Sequence, residues 1–375
     1  MNIPKAALDK KDRKLYLEFL RIAAILAVIF NHAPGFGLPL GNSSCALEFL
    51  NNVSMELCKM AVPLFFMISG ALLLERKEPW HIFFRKRISR YIIVLISYGL
   101  LQYCYALYEM RGEMQWSWRL VIQTIYSGWP LNLHSASYPS AVWFLYAYLA
   151  MMLFLPIMRT LVRAMSADHY IYLFALQILL LGVLPMCAGI LYTTGVSGTT
   201  RICAYFPFVL GGIYALYMLL GHFCENVLPH MHEKRKIERM LLWATPLCLF
   251  LGAAGMYLYP DARSMGMPNE MQQTGFMASF LLLPCACIYL LTKRCLSKIS
   301  QESICGRTLC CLGGGVFTVM LTENIFRANL MSLYEIIEPH TGMHFGSCVL
   351  TMATFCPAVL LGCLLKQLPI IRNYI

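Results

Sequence analysis

The sequence predicts an all-α, polytopic membrane helix bundle with ten transmembrane helices and both termini in the cytoplasm. Three observations carry that expectation. Of 375 residues, 59% are hydrophobic and only 13% charged, against roughly a quarter charged in an ordinary soluble domain. The apolar residues gather in repeated stretches close to the ~20 residues that a helix needs to cross about 30 Å of hydrocarbon. The basic residues fall between those stretches, on alternate sides.

Taken in order, the apolar windows place helices near 15–34, 53–74, 88–109, 141–158, 170–190, 201–221, 240–259, 271–292, 309–330 and 343–365. The fourth is the shortest and has room to extend toward Arg163. The first begins near Leu15 and lacks a small-x-small cleavage site, so it reads as a span and not as a removed signal peptide. With the N-terminus inside, 23 of the 30 Lys and Arg lie on inner flanks. They include Lys10, Lys11, Arg13 and Lys14, then Arg85, Lys86, Arg87 and Arg90, then Lys234, Arg235, Lys236 and Arg239. The outer side holds only Lys59, Arg111, Arg119, Arg201, Arg263 and Arg327, and Arg21 lies within the first span. Such asymmetry in short loops orients a membrane protein. The net charge of +11 is therefore a topology signal, and nucleic acid is not an expected partner.

Residues 1–375 read as one integral membrane domain. Its longest outer connection, 109–140, carries Trp116, Trp118, Trp129 and Tyr138 and has room for a short amphipathic segment at the interface. Of the 16 cysteines, most fall inside spans, among them Cys104, Cys187, Cys203, Cys248, Cys285 and Cys287, where they act as small apolar residues. No CxxC pair occurs and the adjacent Cys310 and Cys311 do not make a metal knuckle, so neither a zinc site nor a disulfide scaffold is expected.

The informative residues are the polar ones inside the spans. Arg21 and His32 are eleven positions apart, roughly 16 Å along a helix and on nearly the same face. An arginine in apolar surroundings should face the bundle interior or a wet cavity. Histidine suits proton transfer near neutral pH, and a neighbouring cation can steady an anionic donor or a developing oxyanion. The simpler reading has Arg21 snorkelling to the inner surface and His32 touching the outer one. Asn31 is adjacent but points about 100° away. In the second span Ser69 and Gly70 permit close helix approach, and Ser69 is also a candidate substrate contact.

Arg87 and Arg90 open the third span three residues apart. They serve topology or clamp the phosphates of a carrier such as coenzyme A. Trp143 and Tyr146 open the fourth span beside Phe144. Glu323 and Asn324 lie late in the ninth, at a depth like that of His32, with Arg327 four residues after Glu323. That spacing suits a local salt bridge, or Glu323 can orient His32 or receive substrate hydroxyls. Gly313 to Gly315 lack a Walker lysine and read as tight packing. His134, His169, His222, His230 and His232 fall in loops or helix flanks, where solvation is expected.

The segments LYLEFLRIAAILAVIFNHA from Leu15, VPLFFMISGALLL from Val62, FRKRISR from Phe84, VWFLYAYLAMMLFLP from Val142 and YFPFVLGGIYA from Tyr205 resemble the acyltransferase-3 family of bacterial integral membrane acyltransferases. More distantly they are similar to the membrane portion of serine racemases, whose cytosolic domain is absent. The resemblance implies transfer of an acyl group, often acetyl, from cytosolic acyl-coenzyme A to a hydroxyl of an envelope polysaccharide, peptidoglycan or lipid-linked sugar. It implies a catalytic role for His32 with Arg21 in the same site, and donor recognition by Arg87 and Arg90. Ser69 and Trp143 are further donor-side candidates, and Asn31, Asn324 and Tyr146 acceptor-side ones. No metal is implied, the membrane is the bacterial cytoplasmic one, and oligomeric state is left open. Many members carry a late tyrosine and histidine motif. The corresponding stretch here is TVMLTEN, Thr318 to Asn324, which makes Glu323 the candidate replacement for that histidine. The alternative of a different class is a transporter of a small polar solute, since buried Arg, His and Glu also suit gated transport.

Overall fold

The computed structural model describes residues 13–34, 45–111, 115–127, 142–184, 186–187, 213–258 and 280–368. Every regular element among them is helical. Among the described residues, six helical stretches are long and apolar enough to cross a membrane: Phe49–Leu73, His81–Glu109, Val142–Ala164, Lys234–Ala254, Ile304–Asn329 and Met343–Leu365. With so many apolar helices the chain is a multi-pass membrane protein.

Helix α1 is Leu15–Asn31. Helices α2 (Cys45–Lys59) and α3 (Ala61–Leu73) follow with a break at Met60, where Pro63 occupies the first turn of α3 and its missing N–H costs nothing. A short α4 (Trp80–Phe83) runs through a π turn, Phe84–Ile88, into α5 (Ser89–Glu109). Next come α6 (Trp118–Ser127), α7 (Val142–Ala164) and α8 (Ala167–Ile178). Helix α9 (Ile213–His222) ends in a second π turn, Phe223–Val227. The remaining helices are α10 (Lys234–Leu258), α11 (Leu282–Leu296), α12 (Ile304–Asn329), α13 (Met331–Thr341) and α14 (Met343–Leu365).

The predicted ninth and tenth spans coincide with α12 and α14, and the fourth does extend past Arg163. The first, fifth, sixth and eighth correspond to α1, α8, α9 and α11, of 17, 12, 10 and 15 residues. Helix α6 is the amphipathic segment expected within 109–140. Helix α13 was not foreseen, nor was the start of α2 at Cys45. Arg201, Cys203, Trp129, His134, Tyr138 and Arg263 lie outside the described residues.

Glycines set the closest contacts. A Cβ on Gly70 would stand 1.9 Å from the Met218 carbonyl oxygen, and one on Gly221 would stand 1.9 Å from that of Met67. Backbone therefore meets backbone where α3 crosses α9, which lipid-embedded helices achieve with small residues. A Cβ on Gly315 would likewise lie 2.6 Å from the Val359 side chain, so α12 and α14 pack as closely as the glycine cluster led one to expect.

One end of the bundle is basic. There Glu225, on the second π turn, accepts hydrogen bonds from Lys14 Nζ and Tyr16 Oη, both at 2.7 Å, from Lys293 Nζ at 2.8 Å and from Tyr289 Oη at 2.9 Å. Burial alone would raise its pKa, but the hydrogen bonds from Lys14, Lys293 and Tyr16 pull the carboxyl down to about 2. This knot ties the start of α1 to α9 and α11. His222 corrects an expectation: it is buried, not solvated, between Tyr170 Oη at 2.8 Å and Glu75 Oε1 at 2.7 Å. The close crossing of α3 and α9 carries it inside.

Candidate functional site

Two polar centres lie along α1. The first is at its far end. Helix α1 stops at Asn31, and His32 caps it with φ −90° and ψ 1°, two residues before Pro34. The His32 ring nitrogen Nδ1 is 3.0 Å from Glu323 Oε1 on α12. A carboxylate only accepts, so in this contact the Nδ1–H of the imidazole donates to Glu323. The other carboxylate oxygen accepts from Arg327 Nε at 3.2 Å, and Arg327 Nη1 donates to the His32 carbonyl at 3.0 Å. Glu323 and Arg327 are 3% and 1% exposed, whereas His32 keeps 19% of its side chain accessible. The result is a closed ring in which a buried ion pair holds both the side chain and the backbone of His32. A cation at a helix C-terminus also complements the helix dipole.

Beside this ring, Gln102 of α5 donates to Asn324 Oδ1 at 3.2 Å and accepts from Asn324 Nδ2 at 2.8 Å. Asn324 thus has its amide engaged with Gln102, and Asn31 is half-buried near the helix end.

The second centre is a cavity of about 400 Å³ that opens at the basic end. Arg21, Arg87, Arg90, Lys86, Arg13 and Lys366 all line it, with Glu18 as the one acidic lining residue among the described residues. Glu18 lies in the first turn of α1, where the helix dipole favours an acid. It accepts from Arg21 Nη1 at 2.8 Å. A Cβ on Gly313 would stand 2.3 Å from Glu18 Oε2, so the glycine lets the carboxyl lie against α12.

Higher in the cavity, Ser69 shares a hydrogen bond of 3.0 Å with Tyr148, and Tyr91 stacks on Tyr148 with ring centroids 4.9 Å apart. Phe65, Phe144 and Met320 line its inner part. Met320 precedes Glu323 by three residues, about 4.5 Å of helix rise. The lining therefore reaches within one helical turn of Glu323, the partner of the His32 ring.

A family model described as an acyltransferase domain, acyltransferase-3, matches residues 14–306. The chain belongs to the acyltransferase-3 family. No curated protein and no solved structure gives a significant match to the chain. The matched span of this acyltransferase-3 protein contains His32, Arg21, Ser69, Arg87 and Arg90. Glu323, Arg327 and Lys366 lie beyond it.

The structure brings together most of the residues singled out from sequence. Arg21, Ser69, Arg87 and Arg90 share the cavity, and His32 and Glu323 share the far centre. Trp143 and Tyr146 do not join either group. Trp143 is 47% exposed and its ring packs on Phe144 and Tyr214, and Tyr146 donates to the Ile125 carbonyl of α6 at 3.1 Å. Arg87 has a structural partner as well: its Nε donates to Glu78 at 2.8 Å, and Arg159 reaches the same oxygen at 3.4 Å. Burial pushes the Glu78 carboxyl up, but these two guanidinium groups hold it below the ordinary carboxylate range. Glu18, Tyr148, Gln102 and Lys366 escaped the sequence reading, and Arg13 was read there as a topology charge alone. Only Glu18 had a local signal, its i,i+3 spacing from Arg21.

Proposed function

We propose that this protein is an O-acyltransferase of the bacterial cytoplasmic membrane. In this reading the acyl group, acetyl in the first instance, comes from cytosolic acyl-coenzyme A and ends on a hydroxyl of an envelope glycan or lipid-linked sugar outside. One observation carries it: a cavity lined, among the described residues, by six cations and one acid extends to within a helical turn of Glu323, the residue whose carboxylate lies 3.0 Å from the His32 ring. The excess of Lys and Arg at the cavity end supports a cytoplasmic opening, and the ten-span, inward-facing termini belong to the same reading.

The donor's phosphates lie among the cations of α1 and α5, with the thin pantetheine arm running past Arg21 toward Met320. His32 Nε2 removes the proton from the acceptor hydroxyl as its oxygen attacks the thioester carbon. The tetrahedral intermediate collapses with cleavage of the C–S bond, and the imidazolium returns its proton to the thiolate. An ester and free coenzyme A leave by opposite ends. Glu323 keeps the imidazole in the reactive tautomer and stabilises the imidazolium, as a carboxylate does in other histidine-based acyl transfers.

The test uses radiolabelled acetyl-coenzyme A with everted membrane vesicles containing the protein. Label is expected in alkali-labile esters of the envelope fraction, falling at least 100-fold in His32→Ala. Equal labelling by the variant rejects the base. Solute uptake by proteoliposomes with no thioester consumption would instead favour the transporter.

A further inference from the structure

The cavity's cations stand on two walls. Lys86, Arg87 and Arg90 come from the π turn and α5. Arg13 and Lys366 come from the opposite side, where α1 begins and α14 ends. Arg13 Nη1 donates to the Cys310 carbonyl at 3.1 Å, and Lys366 Nζ donates to the Gly314 carbonyl. A Cβ on Gly314 would stand 2.8 Å from Lys366 Nζ and 3.9 Å from Arg13 Nη1. The bare backbone at Gly314 thus seats both cations side by side on α12. Each keeps further N–H donors beyond the one bond to a carbonyl. Burial and the neighbouring Arg13 push the Lys366 ammonium below the ordinary lysine range, the behaviour of a cation short of an anion.

We propose that Arg13 and Lys366 form a second anion subsite at the cavity mouth, which takes an isolated phosphomonoester while Lys86, Arg87 and Arg90 take a pyrophosphate. The inference rests on the acyl-coenzyme A reading above and assigns its nucleotide end. In that donor the pantetheine arm leaves from the pyrophosphate, so the pyrophosphate must lie deeper and the ribose 3′-phosphate nearer the mouth. Arg13 and Lys366 belong to the chain segments that leave the helices at that mouth. Lys366 makes the protein select a 3′-phosphorylated donor.

The experiment compares acetyl-coenzyme A with acetyl-3′-dephospho-coenzyme A as competitors for binding to the purified full chain in nanodiscs. The wild-type protein is expected to prefer the phosphorylated donor at least 10-fold. Lys366→Gln should cut that preference to about 2-fold by weakening acetyl-coenzyme A alone, and Lys366→Arg should restore it. Gly314→Ala displaces the flexible ammonium without removing its charge and should lower the preference 3- to 10-fold. Arg90→Gln should weaken both donors equally. A preference that survives Lys366→Gln, or a Lys366 or Gly314 variant that weakens both donors alike, overturns the subsite. Wild-type protein that binds neither donor overturns the acyl-coenzyme A reading itself, and the subsite with it.

Discussion

Arg327→Ala tests whether the far centre is an electrostatic unit. The guanidinium is 1% exposed and makes two charge-assisted hydrogen bonds, 3.2 Å to Glu323 and 3.0 Å to the His32 carbonyl. Removing it strands a carboxylate that is 3% exposed, with the His32 ring as its remaining partner among the described residues. Breaking one side of a buried pair costs about 3–5 kcal/mol. Glu323→Gln strands the guanidinium in turn, at a cost of about 3 kcal/mol. The double variant buries neither charge. Its loss should therefore fall about 2–3 kcal/mol short of the sum of the singles, the coupling expected of groups in direct contact. Reversible unfolding in mixed micelles measures all four corners of the cycle. A double loss equal to the sum within about 0.5 kcal/mol would refute the argument, because the two charges would then be independent. Acyl transfer gives the complementary readout. All three variants should lose most of it, since none retains the ring that fixes His32.

The Glu225 knot predicts a pH dependence. A carboxyl held at about 2 against an ordinary 4.5 stabilises the fold fully above pH 4.5, and the gain is lost as pH falls toward 2. The shift corresponds to about 3 kcal/mol at most, and to about 1–2 kcal/mol with solvent screening. Glu225→Gln should thus unfold more readily at pH 7 and match the wild type near pH 2, as read by denaturant midpoints. On the cavity wall, Arg90→Ala should raise the donor KM about 10-fold at unchanged melting temperature. Arg87→Ala should raise it similarly and also lower the melting temperature, because Glu78 loses its 2.8 Å partner. A stable Arg87→Ala protein would disprove the structural half of that claim. Gly221→Leu forces α3 from α9 and should cost at least about 1–3 kcal/mol, with a raised donor KM because Ser69 moves with α3. Normal stability in that variant would deny the backbone contact.

Much of the bundle was legible because hydrophobic length and helix boundaries are local properties. The pattern from Ile304 to Asn329 and from Met343 to Leu365 needs no knowledge of partners. The face shared by Arg21 and His32 is likewise fixed by 3.6 residues per turn, and both turn toward α12 or the cavity beside it. What remained hidden are the partnerships across long sequence separations. Glu323 meets His32 across 291 positions, and Gln102 meets Asn324 across 222. No spacing rule reports such pairs. His222 was misjudged for the opposite reason: its position at a helix end suggested solvent, whereas the glycine-mediated crossing buries that end. Trp143 and Tyr146 looked like site residues by nearness to Phe144, but residues one and two positions from a cavity-lining residue point elsewhere on the helix.

The position of His32 at a helix end explains how the far centre can exist in a membrane. Within a helix, a residue's carbonyl is consumed by the N–H four positions on, so it has nothing to offer a distant side chain. Pro34 disfavours helical geometry at Ala33 and supplies no N–H of its own, which ends α1 just where the histidine stands. The His32 carbonyl is thereby freed, and in a bilayer a freed carbonyl needs a donor. Arg327 meets that need with one arm of its guanidinium and neutralises Glu323 with another. Glu323 in turn fixes the imidazole. The Tyr334 hydroxyl does the same for the next freed carbonyl, donating to Pro34 at 3.1 Å, and so gives α13 a role in shaping the site. Backbone satisfaction and orientation of the imidazole both run through Arg327, so neither can be altered there without the other.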